Sequence, residues 1–179
     1  SWAADFYGSS KYLPTELFLT LFCAMYVYIL RECRRSPLPL ARAAERILWT
    51  APALYYLASL AILAGHSIAL LVFLLCLTVG GVGFSVRSNS DRRLGFWLAA
   101  FVPLLLWCNS HASRAWLTPG LAAVCGVYII HLLGHYESLR RRPNEFDLAA
   151  VVALPLNGLG AYGASYLLIN AVNPDLTAP

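Results

Sequence analysis

Long apolar stretches separated by short polar connectors make up most of this chain. Six of them, at about 13–30, 47–64, 67–84, 94–108, 117–139 and 148–169, approach the roughly 20 residues that a helix needs to cross a bilayer, although the fourth is short. They lack the period-two alternation of membrane β-strands, and backbone polar groups in lipid must bond within their own segment. The pattern therefore predicts an all-α, polytopic integral membrane protein with about six transmembrane helices, forming a single domain over residues 1–179.

Composition supports membrane insertion and argues against a soluble domain. Hydrophobic residues make up 59% of the chain and charged residues only 12%, with a mean hydropathy of +0.63. A soluble domain carries about 25% charged residues. The net charge of +4 does not indicate a nucleic-acid partner, because the sequence has no lysine-rich run with interleaved aromatic residues. Membrane lipid is the predicted partner.

The basic residues predict an orientation. Eleven of the 13 lysines and arginines fall in or beside the connectors after the first, third and fifth stretches: Arg31, Arg34, Arg35, Arg42, Arg46, Arg87, Arg92, Arg93, Arg140, Arg141 and Arg142. Two predicted spans separate each of these connectors from the next, so all three reach the same side. Loops rich in Lys and Arg stay cytoplasmic. We therefore expect cytoplasmic arginine connectors, with both termini and the loop 109–119 on the opposite side.

Two histidines in the fifth stretch are the first candidates for chemistry. His131 and His135 are four residues apart, so they share one helix face near the predicted cytoplasmic end. Glu137 follows within one turn and joins them only if the helix ends or bends there. We predict a metal site with His131 and His135 as ligands, and with His135 and Glu137 as catalytic groups. Two histidines and one carboxylate suit non-haem Fe(II). In the alternative, one histidine faces lipid headgroups and the other bonds a backbone carbonyl.

The same region carries a resemblance to a known family. Gly134 and His135 end a predicted span, and an acidic residue, a basic pair and a proline follow at Glu137, Arg141–Arg142 and Pro143. This segment resembles the membrane-embedded 2-hydroxy fatty acid dioxygenases of alpha-oxidation. Phe6–Tyr7 resembles the family's opening motif, whereas Lys11 and Thr20 stand where the family has histidines. The resemblance implies an iron-dependent oxygenase acting on lipid.

Other polar and small residues predict packing. Glu16 is expected to pair with Lys11 at the outer interface, and Asn157 to hydrogen-bond between helices. Ser110, His111 and Arg114 are expected in a solvated loop. Glycines in two stretches are expected to allow close helix approach: Gly80, Gly81, Gly83, Gly158, Gly160 and Gly163.

Three functional hypotheses follow from the sequence. The first is a metal-dependent enzyme acting on a lipid or isoprenoid-like substrate at the cytoplasmic end of the fifth span. The second is a non-catalytic subunit that buries its small-residue faces against other membrane proteins or against copies of itself. The third is a small-solute transporter, although the spans offer few acidic groups for coupling and no filter-like sequence.

Overall fold

The computed structural model describes residues 11–35, 50–88, 93–141 and 148–173, and all of the regular structure in these ranges is helical. Six helices follow one another: α1 (Tyr12–Arg35), α2 (Thr50–Leu63), α3 (Ser67–Ser88), α4 (Arg93–His111), α5 (Arg114–Arg141) and α6 (Leu148–Val172). The all-helical prediction is confirmed. The connectors 36–49, 89–92 and 142–147, where several of the arginines lie, fall outside the described residues.

Five of these helices are long and apolar enough to cross a membrane, namely α1, α3, α4, α5 and α6. Helix α2 has 14 residues, or about 21 Å at 1.5 Å per residue, against a hydrocarbon core of about 30 Å. Residues 47–49 of the predicted second stretch lie outside the described residues. The sequence predicted about six spans. The described residues contain five long candidate spans and one shorter apolar helix.

The loop expected at 109–119 is much shorter in the structure. Helix α4 continues to His111 and α5 begins at Arg114, so only residues 112–113 separate them. The Ser110 hydroxyl bonds the carbonyls of Leu106 and Trp107 at 3.0 and 3.3 Å, which occupies carbonyls in the last turn of α4. At the other end, the Trp116 amide donates to the Ser113 carbonyl at 3.0 Å. Both helix ends are thus satisfied locally, which lets polar residues remain helical.

The chain divides into two compact units, Ser1–Ser67 and Ile68–Pro179. The first contains α1 and α2, which pack together, and an aromatic contact in which the Tyr12 and His66 rings stack at 4.0 Å between centroids. Glu16 accepts hydrogen bonds from Tyr55 and Ser59 of α2 rather than forming the predicted pair with Lys11. That prediction was wrong because α2 places two hydroxyl groups directly against the carboxylate.

The second unit is built around α6, which packs against both α4 and α5. One face of α6 is buried along its length, at Asn157, Gly160, Ala164 and Leu168. These positions recur every three or four residues, which is the spacing of one helix face. Phe101, Leu104 and Cys108 of α4, with Val124 and Val127 of α5, complete a core in which each side chain is almost fully buried.

Glycine contacts set the helix spacing at several of the predicted positions. A methyl group at Gly160 would lie 2.9 Å from the Phe101 ring, and one at Gly81 or Gly134 would overlap Phe96 or Val82. Close approach is therefore confirmed at Gly81 and Gly160, and Gly134 adds a position that the sequence analysis did not single out for packing. Gly80, Gly83 and Gly158 face open space instead, with no atom within 4 Å of such a methyl group.

Candidate functional site

All four helices of the second unit surround one pocket. Its empty volume is about 460 Å³, part of it open to the surroundings. The lining is Val82, Ser85 and Val86 from α3, Phe96 and Trp97 from α4, His131, Gly134 and His135 from α5, and Ala153, Leu154 and Asn157 from α6. Among these described lining residues there is no Asp, Glu, Lys or Arg. A mostly apolar cleft with a few polar groups is the kind of place where small molecules bind.

The pocket lies near the arginine-bearing ends of the helices. Ser85 precedes Arg87 by two residues on α3, and His135 precedes Arg141 by six residues on α5, which is about 9 Å of helix. Trp97 lies in the second turn of α4. In a bilayer, a pocket at this depth would be within reach of both the headgroup region and the acyl chains.

Three polar atoms of the lining have no hydrogen-bond partner although each is buried. They are Trp97 Nε1, His131 Nε2 and Asn157 Oδ1, which come from three different helices. Buried polar atoms are paired in the large majority of cases, so three unpaired atoms in one cavity are unusual. Asn157 is only 2% exposed. The three residues that carry these atoms are therefore candidates for contacts with the polar part of a ligand.

The surroundings of these groups hold them in place. The Asn157 amide donates through Nδ2 to the Tyr128 carbonyl at 3.0 Å, which confirms the predicted bond between helices and leaves Oδ1 as an acceptor. The Phe101 ring lies against both Trp97 and His131, at 5.1 and 6.1 Å between centroids. Fixed aromatic neighbours and a tethered amide give the site a defined geometry without any ligand.

The chemistry of the three atoms indicates which head group would fit. Trp97 Nε1 only donates, Asn157 Oδ1 only accepts, and His131 Nε2 does one or the other according to its tautomer. A hydroxyl group both donates and accepts, so its chemistry suits a donor such as Trp97 Nε1 as well as an acceptor such as Asn157 Oδ1. A charged head group would meet no opposite charge in the described lining and would lose its hydration.

The predicted site residues divide into two sets. His131 and His135 both line the pocket, as expected from their shared helix face. Glu137 does not line it: its carboxylate bonds Arg140 and Arg141 at 2.9 and 2.8 Å, and its side chain is partly exposed. Residues 131–141 all lie within helix α5, so Glu137 is on a different face from the histidines.

The iron site implied by the resemblance is not assembled in the described part of the chain. Within residues 11–35, 50–88, 93–141 and 148–173, no group of three His, Cys, Asp or Glu side chains could hold a metal ion. His131 and His135 supply two nitrogen donors, whereas the only carboxylate predicted to join them is held by two arginines. These residues alone do not make the two-histidine, one-carboxylate set that Fe(II) oxygenases use.

Polar residues at the other end of the second unit form a separate aromatic cluster. His111 stacks on Trp107 at 5.6 Å between centroids, and its Nδ1 lies 2.8 Å from the Ser110 hydroxyl. Trp116 contacts Trp107 edge-on at 5.9 Å. The Ser110 hydroxyl also bonds backbone carbonyls, so the cluster acts as a helix-end contact.

Sequence reasoning missed two of the three unpaired groups. Trp97 was not singled out from the sequence, and only a hydrogen bond between helices was predicted for Asn157. The available signal was position: Trp97 and Asn157 lie near the same end of neighbouring helices as His131 and His135. Only the packing of α6 against α4 and α5 shows that they share one cavity.

Comparisons with known proteins identify no family for this chain. No protein-family model, no curated protein and no solved structure matches the chain.

Proposed function

We propose that this chain is an integral membrane protein that binds a lipid or isoprenoid-like molecule by its uncharged polar head in the pocket between α3, α4, α5 and α6. The observation that carries the proposal is that three residues of one mostly apolar lining each have a buried polar atom without a hydrogen-bond partner. The tail of the ligand would lie among apolar side chains or in the surrounding lipid. The head would bond Trp97, His131 and Asn157.

The orientation belongs to the same proposal. The arginine-bearing helix ends would lie on the cytoplasmic side, where Lys and Arg are retained. A ligand head bound at this depth would then enter from the cytoplasmic leaflet. Both termini would lie on the opposite side.

The test is whether the purified protein retains a lipid through these groups. The full chain, extracted in mild detergent and washed, should retain a lipid with an uncharged hydroxyl-bearing head, detected by mass spectrometry. Replacing Asn157 by Leu removes the acceptor and puts a branched apolar side chain in its place. We expect about tenfold less retained lipid, which corresponds to about 1.4 kcal/mol.

Two further variants separate binding from folding. Trp97→Phe keeps an aromatic ring but removes the donor and part of the indole volume, so it should also reduce retention. Gly158→Ala, beside Asn157, adds a methyl group that meets no atom within 4 Å and should retain lipid as the wild type does. Equal retention by wild type, Asn157→Leu and Trp97→Phe would contradict the proposal.

Iron-dependent oxidation of the bound lipid is the activity that the resemblance implies, and its candidate residues are His131 and His135. Metal analysis of the washed protein tests this activity separately from binding. For an iron enzyme we expect about one iron per chain in the wild type and loss of iron in His135→Ala. Equal iron in both proteins would exclude His135 as a ligand and leave the lipid-binding proposal standing.

A role as a subunit of a membrane assembly is the second candidate, and one feature of α3 favours it. Gly80 and Gly83 are three residues apart on an exposed face, and a methyl group at either would meet nothing within 4 Å. Small residues at this spacing allow close approach of a partner helix. Sizing of the gently extracted protein tests this role, because a monomer of 19.6 kDa plus its micelle would contradict it.

A further inference from the structure

The pair α1–α2 in the first unit contains a second polar cluster, separate from the lipid pocket. Glu16 lies in the second turn of α1, and its Oε1 accepts hydrogen bonds from Tyr55 at 3.1 Å and Ser59 at 2.7 Å. The Thr20 and Tyr55 hydroxyls lie 3.0 Å apart. Because Tyr55 gives its hydrogen to Glu16, Thr20 donates to Tyr55. The chain of hydrogen bonds thus runs from Thr20 through Tyr55 to the carboxylate.

The second oxygen of this carboxylate has no partner. Glu16 Oε2 is buried and makes no hydrogen bond, and the neighbouring Ser59 is fully buried. A buried carboxylate oxygen without a donor or a positive charge is costly. Ionisable groups inside membrane-spanning segments are rare and tend to be functional. A positively charged group or ion next to Oε2 would therefore stabilise the Glu16 carboxylate.

Among the residues of the first unit whose side chains the structure describes, none supplies that charge. Helix α2, which packs against α1, contains no Lys, Arg or His, and the Lys11 side chain is exposed at the start of α1. Ser59 donates its hydrogen to Oε1, so the lone pairs of its oxygen point elsewhere. A carboxylate oxygen and a hydroxyl oxygen are the hard ligands that alkali and alkaline-earth ions prefer.

We propose that Glu16 Oε2 and the Ser59 hydroxyl oxygen bind one sodium ion between α1 and α2, with water in the remaining positions. A single carboxylate matches a single positive charge, which favours a monovalent over a divalent ion. Tyr55 acts as a positioning residue, because its hydrogen bond orients the carboxylate. The bound ion would hold the two helices together, so folding stability would depend on sodium.

Thermal unfolding of the full chain in mild detergent tests this site. We compare sodium chloride with choline chloride at equal ionic strength. Sodium should raise the wild-type Tm saturably, by about 5 °C at high occupancy. In Glu16→Gln, which keeps the shape and the acceptor oxygen but removes the charge, the sodium-dependent rise should be lost. Glu137→Gln is the matched control, since the Glu137 carboxylate bonds two arginines, and it should keep the rise.

A second variant keeps the test decisive if Glu16→Gln fails to fold. Ser59→Ala removes one neutral ligand without changing the charge, so the midpoint of the sodium response should move to about tenfold higher concentration. Equal Tm values in sodium and choline, or a sodium response that persists in Glu16→Gln, would overturn the proposal. Modification of Glu16 by a hydrophobic carbodiimide, unchanged by sodium, would also overturn it, because that reagent attacks protonated carboxyl groups.

Discussion

Individual residues control how closely the helices of the second unit approach. Gly134 is buried on α5, and a methyl group added there would overlap the Val82 side chain of α3. The contact lies in the wall of the pocket, because both residues line it. The absence of a side chain at Gly134 therefore serves both helix packing and the shape of the pocket.

Replacing Gly134 by Ala should destabilise the protein. Overpacking of a close contact costs about 1–3 kcal/mol, which exceeds the gain in helix propensity of about 1 kcal/mol. Denaturant titration in detergent micelles measures the change. Gly80→Ala is the control: it lies in open space on α3 and should be neutral or slightly stabilising. The double variant Gly134→Ala, Val82→Ala should recover stability, and if it does not, the Val82 contact is not the cause.

At the scale of the helix, α5 is longer than a bilayer core. Its 28 residues extend about 42 Å, against a hydrocarbon thickness of about 30 Å. If the apolar part of α5 crosses a bilayer, the last turns, which carry Glu137, Arg140 and Arg141, would extend beyond the hydrocarbon core. The side chains of Arg140 and Arg141 are 67% and 53% exposed. Glu137 is separated from His135 by its helix face rather than by position along α5, because two residues rise only about 3 Å.

Removing the Glu137 charge should have little effect. Exposed ion pairs contribute little to stability, so Glu137→Gln should leave the denaturant midpoint close to that of the wild type. Lipid retention and any bound iron should remain at the wild-type level. Denaturant titration and mass spectrometry on the same preparation measure both. Loss of bound lipid or iron in Glu137→Gln would indicate that the Glu137 carboxylate takes part in the site after all.

Helix α6 provides the element that both α4 and α5 contact. Its buried face runs through Ala164, which is completely buried, whereas Leu159 lies on the exposed face. Ala164→Leu should cost about 1–3 kcal/mol, because the added atoms have no space against the neighbouring helices. Leu159→Met should change stability by less than about 0.5 kcal/mol. Thermal unfolding of the two variants compares the buried and the exposed face of α6. Similar Tm values for both variants would contradict this packing.

At the scale of the whole molecule, the distribution of arginines predicts which side each connector occupies. In a background without the five native cysteines, single cysteines at Ser36, Ser90 and Asn144 should react with an impermeant maleimide from the cytoplasmic side. A cysteine at Ser113 should react only from the opposite side. Labelling of oriented membrane vesicles measures this, with detergent-opened vesicles as the control for reactivity. Labelling of the Ser36 and Asn144 positions from opposite sides of the membrane would refute the predicted orientation.

Sequence alone determined the helices, because the length and polarity of an apolar stretch are local properties. Predicted boundaries at 67 and 148 coincide with the observed starts of α3 and α6, and the histidines share a face because helix geometry requires it. The connector at 109–119 was predicted too long, since polar residues remain helical when side chains satisfy the backbone, as Ser110 does.

Only tertiary structure decided which polar atoms are left without partners. Trp97, His131 and Asn157 come from three helices, and Glu16 meets Ser59 of α2 across 43 positions of sequence. Whether a polar atom is satisfied depends on every group packed around it, and that is a property of the assembled helices rather than of any one stretch. For the same reason His131 and His135 were found from spacing, whereas the absence of a third metal ligand beside them, among the described residues, became visible only in the assembled helices.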